Sequence, residues 1–116
     1  MLNFQVSTNA TQDQQVIKID GDIDIHTIAS LSRSLSNIIE QSPKQLIADL
    51  SSVSYIDSTG LGVFAHSAEQ LLKNNGKLFI LTHSERIIKT FEVSGLTKHH
   101  ITLIQSVSDF NLEDEL

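Results

Sequence analysis

Two aliphatic hydroxyls, a carboxylate and two glycines are grouped in the segment YIDSTGLG, residues 55–62, where a helical apolar pattern begins. These residue types suit four roles: a helix cap, a hydrolase nucleophile, a phosphate cradle and a phosphate acceptor. Asp57, Ser58 and Thr59 are all good N-cap residues, because their side chains bond the free amides of a first helical turn. Capping does not explain Gly60 and Gly62, each of which costs about 1 kcal/mol relative to alanine within a helix. Glycine there indicates that another backbone or a bulky partner comes close.

The catalytic and nucleotide-binding alternatives each lack a required residue. A nucleophile elbow needs glycine two residues before its serine, where this chain has Ile56, and the five histidines form no obvious triad with Ser58. A P-loop needs a lysine that STGLGVF does not contain, and a dinucleotide fingerprint needs its glycines directly after a strand. His99 and His100 are adjacent, so they point apart on a strand and predict no metal site. We therefore expect a protein that is not an enzyme and has no cofactor or metal ion of its own.

Phosphate acceptance makes use of the whole segment. A serine at the start of a helix is accessible, and the helix dipole tolerates the anion it would acquire. Phosphorylation would add about −1.5 to −2 charges beside Asp57 and near Asp24. Helix amides would offset this charge inside the domain, whereas a docked partner with acidic or apolar groups would lose affinity. Ser58 is the predicted acceptor, and Thr59 is the less favoured alternative.

Composition limits the kinds of partner. The chain has 116 residues, a net charge of −6 and no cysteine, which suits one domain spanning residues 1–116. Its charge argues against a nucleic-acid partner, which requires a clustered basic face, and favours basic or apolar protein partners. The first residues do not resemble a signal peptide, and no apolar stretch approaches the roughly 20 residues needed to cross a bilayer. A cytoplasmic protein without membrane association is expected.

Strands and helices are predicted to alternate along the chain, so that helices position the acidic and hydroxyl residues. An N-terminal β-hairpin is followed by buried strands and amphipathic helices. Strands are predicted at 3–7, 15–20, 45–50, 77–82 and 101–104, and helices from Thr27, from DSTGLG, from Ser84 and over 107–112. Thr27 and Ser84 are the predicted N-caps of their helices. Gly76 is predicted as the left-handed residue after the second helix. The fold class is therefore α/β: a mixed, mostly parallel sheet of about five strands with about four helices packed on it.

Two loops follow strands of this predicted sheet. One is GDIDIHT, residues 21–27, and the other runs from Ser51 into DSTGLG. Because the carboxyl ends of parallel strands meet at one edge of a sheet, neighbouring strands would bring Asp24 and Ser58 into a common region.

Three stretches resemble one known family. LIADLSSVSYIDSTGLGVF resembles the signature of STAS domains, specifically the small bacterial anti-sigma factor antagonists, and GDIDIHT is similar to their second motif. NNGKLFILTHSERIIKTFEVSGLTKHHITLIQS matches the later half of the family. The resemblance covers nearly the whole chain. TIASL, residues 27–31, departs from it, because many relatives have an alanine-proline pair there.

The resemblance implies a switch. Ser58 would be phosphorylated by a partner that is both a serine kinase and an anti-sigma factor, with assistance from Asp24. The unphosphorylated form would bind this partner and release the sigma factor, phosphorylation would abolish binding, and a metal-dependent serine phosphatase would reset the switch. The predicted partner-binding residues are Asp24, Asp57, Thr59, Gly60, Leu61 and Gly62. Two alternatives remain open: a STAS regulator of a non-sigma output, such as secretion, biofilm formation or an enzyme, and a STAS-like component that binds lipid or an anion.

Overall fold

The computed structural model of the chain describes residues 5–10 and 13–106. Its strands form one sheet in the order β1-β2-β3-β4-β5, with β1 antiparallel to β2 and the strands from β2 onward parallel. The strands are β1 Gln5–Ala10, β2 Gln14–Asp20, β3 Gln45–Ser52, β4 Lys77–Leu81 and β5 Ile101–Ile104. The connecting helices are α1 Ile28–Ile39, α2 Ser58–Leu72, α3 Glu85–Ser94 and a 3₁₀ turn, Leu96–Lys98.

The predicted alternation of strands and helices in one α/β domain with a mainly parallel sheet is confirmed. The parallel part has four strands, β2 to β5, and the described residues contain three α-helices where the sequence predicts about four. The fourth predicted helix, residues 107–112, lies outside the described residues. Strand β1 also differs from its predicted range of 3–7, because its backbone pairing continues to Ala10, which lies opposite Gln15.

One main core lies between the helices and one face of the sheet. Each helix contributes fully buried side chains to it, among them Leu31 of α1, Phe64 of α2 and Phe91 of α3. Burying a side chain of this size contributes roughly 1.5–3 kcal/mol. Ile47 and Phe79 lie on strands between residues of the main core, so they point to the opposite face, where they form a smaller cluster with Leu81.

The end of α2 corrects one prediction. Asn75, not Gly76, adopts the left-handed conformation, with φ of 62°. The N–H of Asn75 donates to the Leu72 carbonyl at 3.0 Å and the N–H of Gly76 to the Leu71 carbonyl at 2.7 Å, which is the Schellman pattern. Gly76 is required for another reason, because a Cβ there would lie 2.7 Å from the backbone oxygen of Pro43.

Candidate functional site

The two polar loops are joined by backbone pairing beyond the ends of their strands. Strands β2 and β3 are neighbours, as the argument from the sequence required. Ile23 and Ile56 then form an isolated parallel bridge. The Ile23 N–H donates to the Tyr55 carbonyl at 2.9 Å, and the Asp57 N–H donates to the Ile23 carbonyl at 3.1 Å. We refer to residues 21–27 and 53–57 together as the bridged loops. Helix α2 begins directly after the second of them.

Thr27 fixes the shape of the first of these loops. Its buried hydroxyl donates to the Asp22 carbonyl at 2.8 Å and accepts the Asp24 N–H at 3.0 Å. The sequence predicts Thr27 as an N-cap; it occupies that position in α1, but its side chain makes no cap hydrogen bond. The hydroxyl is used within the loop instead. The Asp24 carboxylate accepts the His26 N–H at 2.9 Å, so this carboxylate is also held in place.

Asp57 caps α2, which confirms the capping role of this segment. Its Oδ1 accepts the N–H of Thr59 at 3.0 Å and of Gly60 at 3.2 Å, and the Thr59 hydroxyl donates to the same oxygen at 2.5 Å. The Thr59 hydroxyl and these two amides stabilise the ionised carboxyl, and against the opposing effect of desolvation they hold the pKa of Asp57 below its ordinary value. A fixed negative charge therefore stands immediately before Ser58.

The two neighbouring hydroxyls differ in availability. Ser58 is the first residue of α2 and is exposed. Its hydroxyl makes no hydrogen bond to any other residue that the structure describes. The Thr59 hydroxyl, in contrast, is engaged by Asp57. An exposed primary alcohol at a helix N-terminus can be reached by the active site of another protein, which favours Ser58 over Thr59 as an acceptor.

The two glycines of α2 have different surroundings. A Cβ on Gly60 would lie 2.6 Å from Cγ2 of Ile23 and 2.7 Å from Cγ1 of Ile56. Gly60 is buried, so it makes room for the two isoleucines of the loop bridge. The structure thus explains the glycine at position 60 by the packing of these isoleucines, and not by the close approach of a partner that the sequence suggested. A Cβ on Gly62 would meet nothing within 4 Å, and this exposed position remains a predicted point of approach.

The bridged loops also carry two exposed apolar side chains that the sequence reasoning missed. Ile25 is 67% exposed and Tyr55 is 47% exposed. Leu61, predicted as a partner contact, is half-buried and packs against the main core. GDIDIHT contains two isoleucines, of which Ile23 is buried and Ile25 is exposed, so the sequence alone carries no signal that distinguishes them.

Sites of two other kinds do not occur in the described part of the chain. Residues 5–10 and 13–106 contain no group of three or more His, Cys, Asp and Glu side chains that could hold a metal ion. Within the same ranges, no helix is long and apolar enough to cross a membrane.

The amino-acid sequence is similar to those of known proteins. The STAS domain family profile matches residues 5–110. The anti-sigma-B factor antagonist of Staphylococcus aureus (strain NCTC 8325 / PS 47) is 33% identical over 95 residues, which cover 82% of this chain and 88% of that protein.

Two solved structures have the same fold. An anti-sigma factor antagonist from Mycobacterium paratuberculosis superposes with a TM-score of 0.83 at 24% identity, covering 92% of this chain and 90% of that chain. The Bacillus cell fate determinant SpoIIAA in its phosphorylated form gives a TM-score of 0.70 at 24% identity, covering 93% of this chain and 96% of that chain. The sequence matches and the shared fold together show that this chain belongs to the STAS domain family, in its group of anti-sigma factor antagonists.

Proposed function

We propose that this protein is an anti-sigma factor antagonist whose binding to its partner is switched by phosphorylation of Ser58. The unphosphorylated form binds an anti-sigma factor that is also a serine kinase, and the sigma factor is released. Phosphorylation prevents this binding, and a metal-dependent serine phosphatase restores it. The observation that carries the proposal is the exposed Ser58 hydroxyl at the start of α2, next to an Asp57 carboxylate that is already fixed.

Local chemistry supports a modification that leaves the fold intact. Ser58 precedes the first turn of amides in α2, and a helix N-terminus stabilises negative charge. Its side chain packs against nothing in the core, because it is exposed. A phosphate there would therefore disrupt no buried contact.

The same phosphate would change a docked interface strongly. Asp57 lies beside Ser58, and the Asp24 carboxylate is held on the adjoining loop. A charge of −2 placed ~7 Å from one partner carboxylate at an effective dielectric of ~20 interacts by about 4–5 kcal/mol. Solvent screening reduces this value at an exposed site. Even about 2.8 kcal/mol is a hundredfold change in affinity, which is sufficient for a switch.

The docking surface that we propose surrounds Ser58 on both loops. Asp24 and Asp57 supply charge, Gly62 leaves open space on α2, and Ile25 supplies apolar area. Thr59, Gly60 and Leu61 complete the predicted set of partner-binding residues. Gly60 contributes indirectly, because it leaves room for the two isoleucines that join the bridged loops. ATP and the phosphatase metal belong to the partners, and we place the protein in the cytoplasm with them.

The relatives support this assignment by their names and states. The Staphylococcus aureus relative is named for opposing an anti-sigma factor, and SpoIIAA has been solved in a phosphorylated form. A regulator of another output would use the same site.

Substitution of Ser58 tests the switch. Ser58→Ala should keep kinase binding and lose phosphate incorporation, whereas Ser58→Asp should weaken binding with little change in melting temperature. Thr59→Val is the control, because it removes the neighbouring hydroxyl and should leave incorporation at Ser58 detectable by mass spectrometry. Phosphate incorporation into Ser58→Ala, or undiminished binding of Ser58→Asp, would show the mechanism to be wrong.

A further inference from the structure

A second surface, separate from the Ser58 hydroxyl, lies between the first turn of α2 and helix α3. It is a groove of about 430 Å³ whose lining combines apolar side chains with two cations. The lining residues are Leu61, Arg86, Lys89, Thr90, Val93 and Ser94. We call it the α3 groove.

The fold itself does not use this side of α3. Ile87 and Phe91 are buried in the main core, while Val93 is 77% exposed. Residues 86, 89, 90 and 93 are spaced three, four and seven apart, so they share one face of the helix. This face therefore presents an apolar side chain to solvent without a packing role in the described chain.

The charge of the groove is opposite to that of the bridged loops. Arg86 and Lys89 are exposed, and neither forms an ion pair with another residue that the structure describes. The acidic side chains of α3, Glu85 and Glu92, are not among the lining residues. A basic, partly apolar surface thus adjoins an acidic site on a chain whose net charge is −6.

We propose that the α3 groove is a second docking surface, which receives an acidic segment of the anti-sigma factor kinase carrying at least one apolar side chain. This inference rests on the proposed function. The apolar side chain would pack on Leu61 and Val93, and its flanking carboxylates would pair with Arg86 and Lys89. Leu61 lies three residues after Ser58, so one partner can cover both surfaces.

The groove makes a distinct contribution to binding. Its cations attract an acidic partner segment whether or not Ser58 is phosphorylated. The groove therefore contributes to the affinity and to the position of the docked partner, whereas Ser58 supplies the switch. Complementary charge also raises the rate of association, and this contribution declines as salt increases.

Charge reversal in the groove tests this inference. The probe is the purified kinase that incorporates phosphate at Ser58, and the variant is Arg86→Glu with Lys89→Glu. Kinase affinity should fall about tenfold, through lost attraction and new repulsion, and should depend less steeply on salt. Lys77→Glu with Lys98→Glu is the control, because both lysines are exposed, lie outside the groove and give the same change in net charge. The kinase affinity of this control should stay within about twofold of that of the native protein.

Three outcomes overturn the inference. The first is a groove variant that stays folded by circular dichroism and binds the kinase as the native protein does. The second is loss of self-association by the groove variant without loss of kinase affinity, which would assign the groove to a second copy. The third is an equal fall in melting temperature in the groove variant and in a chain lacking residues 107–116, with no change in kinase affinity in either, which would assign the groove to the chain's own last residues.

Ser58→Asp measured in parallel separates the two proposals. If Ser58→Asp weakens binding and the groove variant does not, the switch stands and the groove inference fails. If the groove variant weakens binding and Ser58→Asp does not, the kinase docks at α3 and the proposed switch fails.

Discussion

Replacing Gly60 by alanine should destabilise the protein, although alanine is the better helix former. The new methyl group would lie 2.6 Å from Cγ2 of Ile23 and 2.7 Å from Cγ1 of Ile56, closer than carbon atoms approach without displacement. Both isoleucines are buried, and their backbones are paired to each other in the loop bridge. A rotamer change of either side chain would have to displace neighbouring buried atoms.

The expected magnitude follows from two opposing effects. Overpacking of a buried site costs about 1–3 kcal/mol. The gain in helix propensity from glycine to alanine is about 1 kcal/mol. The net loss of unfolding free energy should therefore be up to about 2 kcal/mol, with a fall in melting temperature of about 4 °C for each kcal/mol at this chain length.

Gly62→Ala is the matched control, two residues further along the same helix. A Cβ there meets nothing within 4 Å, so the propensity gain should appear alone, as up to about 1 kcal/mol of added stability. Urea denaturation of both variants gives the two free energies. If Gly60→Ala is as stable as Gly62→Ala, the packing argument for the loop bridge is refuted.

Three further substitutions test other parts of the site. Thr27→Val should cost about 1–3 kcal/mol in denaturation experiments, because it leaves the Asp24 amide and the Asp22 carbonyl without their hydroxyl partner. Because the pKa of Asp57 is lowered in the folded state, its contribution to stability is present above the unfolded pKa and is lost as the pH falls through the folded pKa. Asp57→Asn keeps a capping side chain and should therefore lose stability less steeply than the native protein in melts below about pH 4; the same loss of stability in both proteins would contradict this. Ile25→Ser should reduce kinase affinity in calorimetry while changing stability by no more than about 0.5 kcal/mol, because this side chain is 67% exposed; unchanged affinity would remove Ile25 from the interface.

The sequence predicted the layout of the sheet because buried parallel strands leave a plain pattern. Strands such as Gln45–Ser52 contain nearly continuous apolar runs, and residues that point to both faces of the sheet are buried. The helices between them show one apolar stripe each. The Ser84 cap of α3 was predictable for the same local reason, and its hydroxyl accepts the Ile87 N–H at 3.2 Å.

Features that depend on contacts between distant segments could not be predicted in this way. In NNG, local preference favours glycine for the left-handed position, but the Pro43 carbonyl comes so close to Gly76 that glycine is needed there, and Asn75 takes the left-handed conformation. Likewise, the sequence identifies Gly60 as unusual, but the register that places Ile23 against it is visible only in the folded chain.

The pairing of Ile23 with Ile56 has a consequence for the energetics of recognition. Two backbone hydrogen bonds already join the two bridged loops, the second of which leads directly into Ser58, so the conformational entropy of these loops is lost when the chain folds and not when a partner arrives. Less ordering entropy then opposes association, and under the proposed switch a single phosphate group would be sufficient to reverse it.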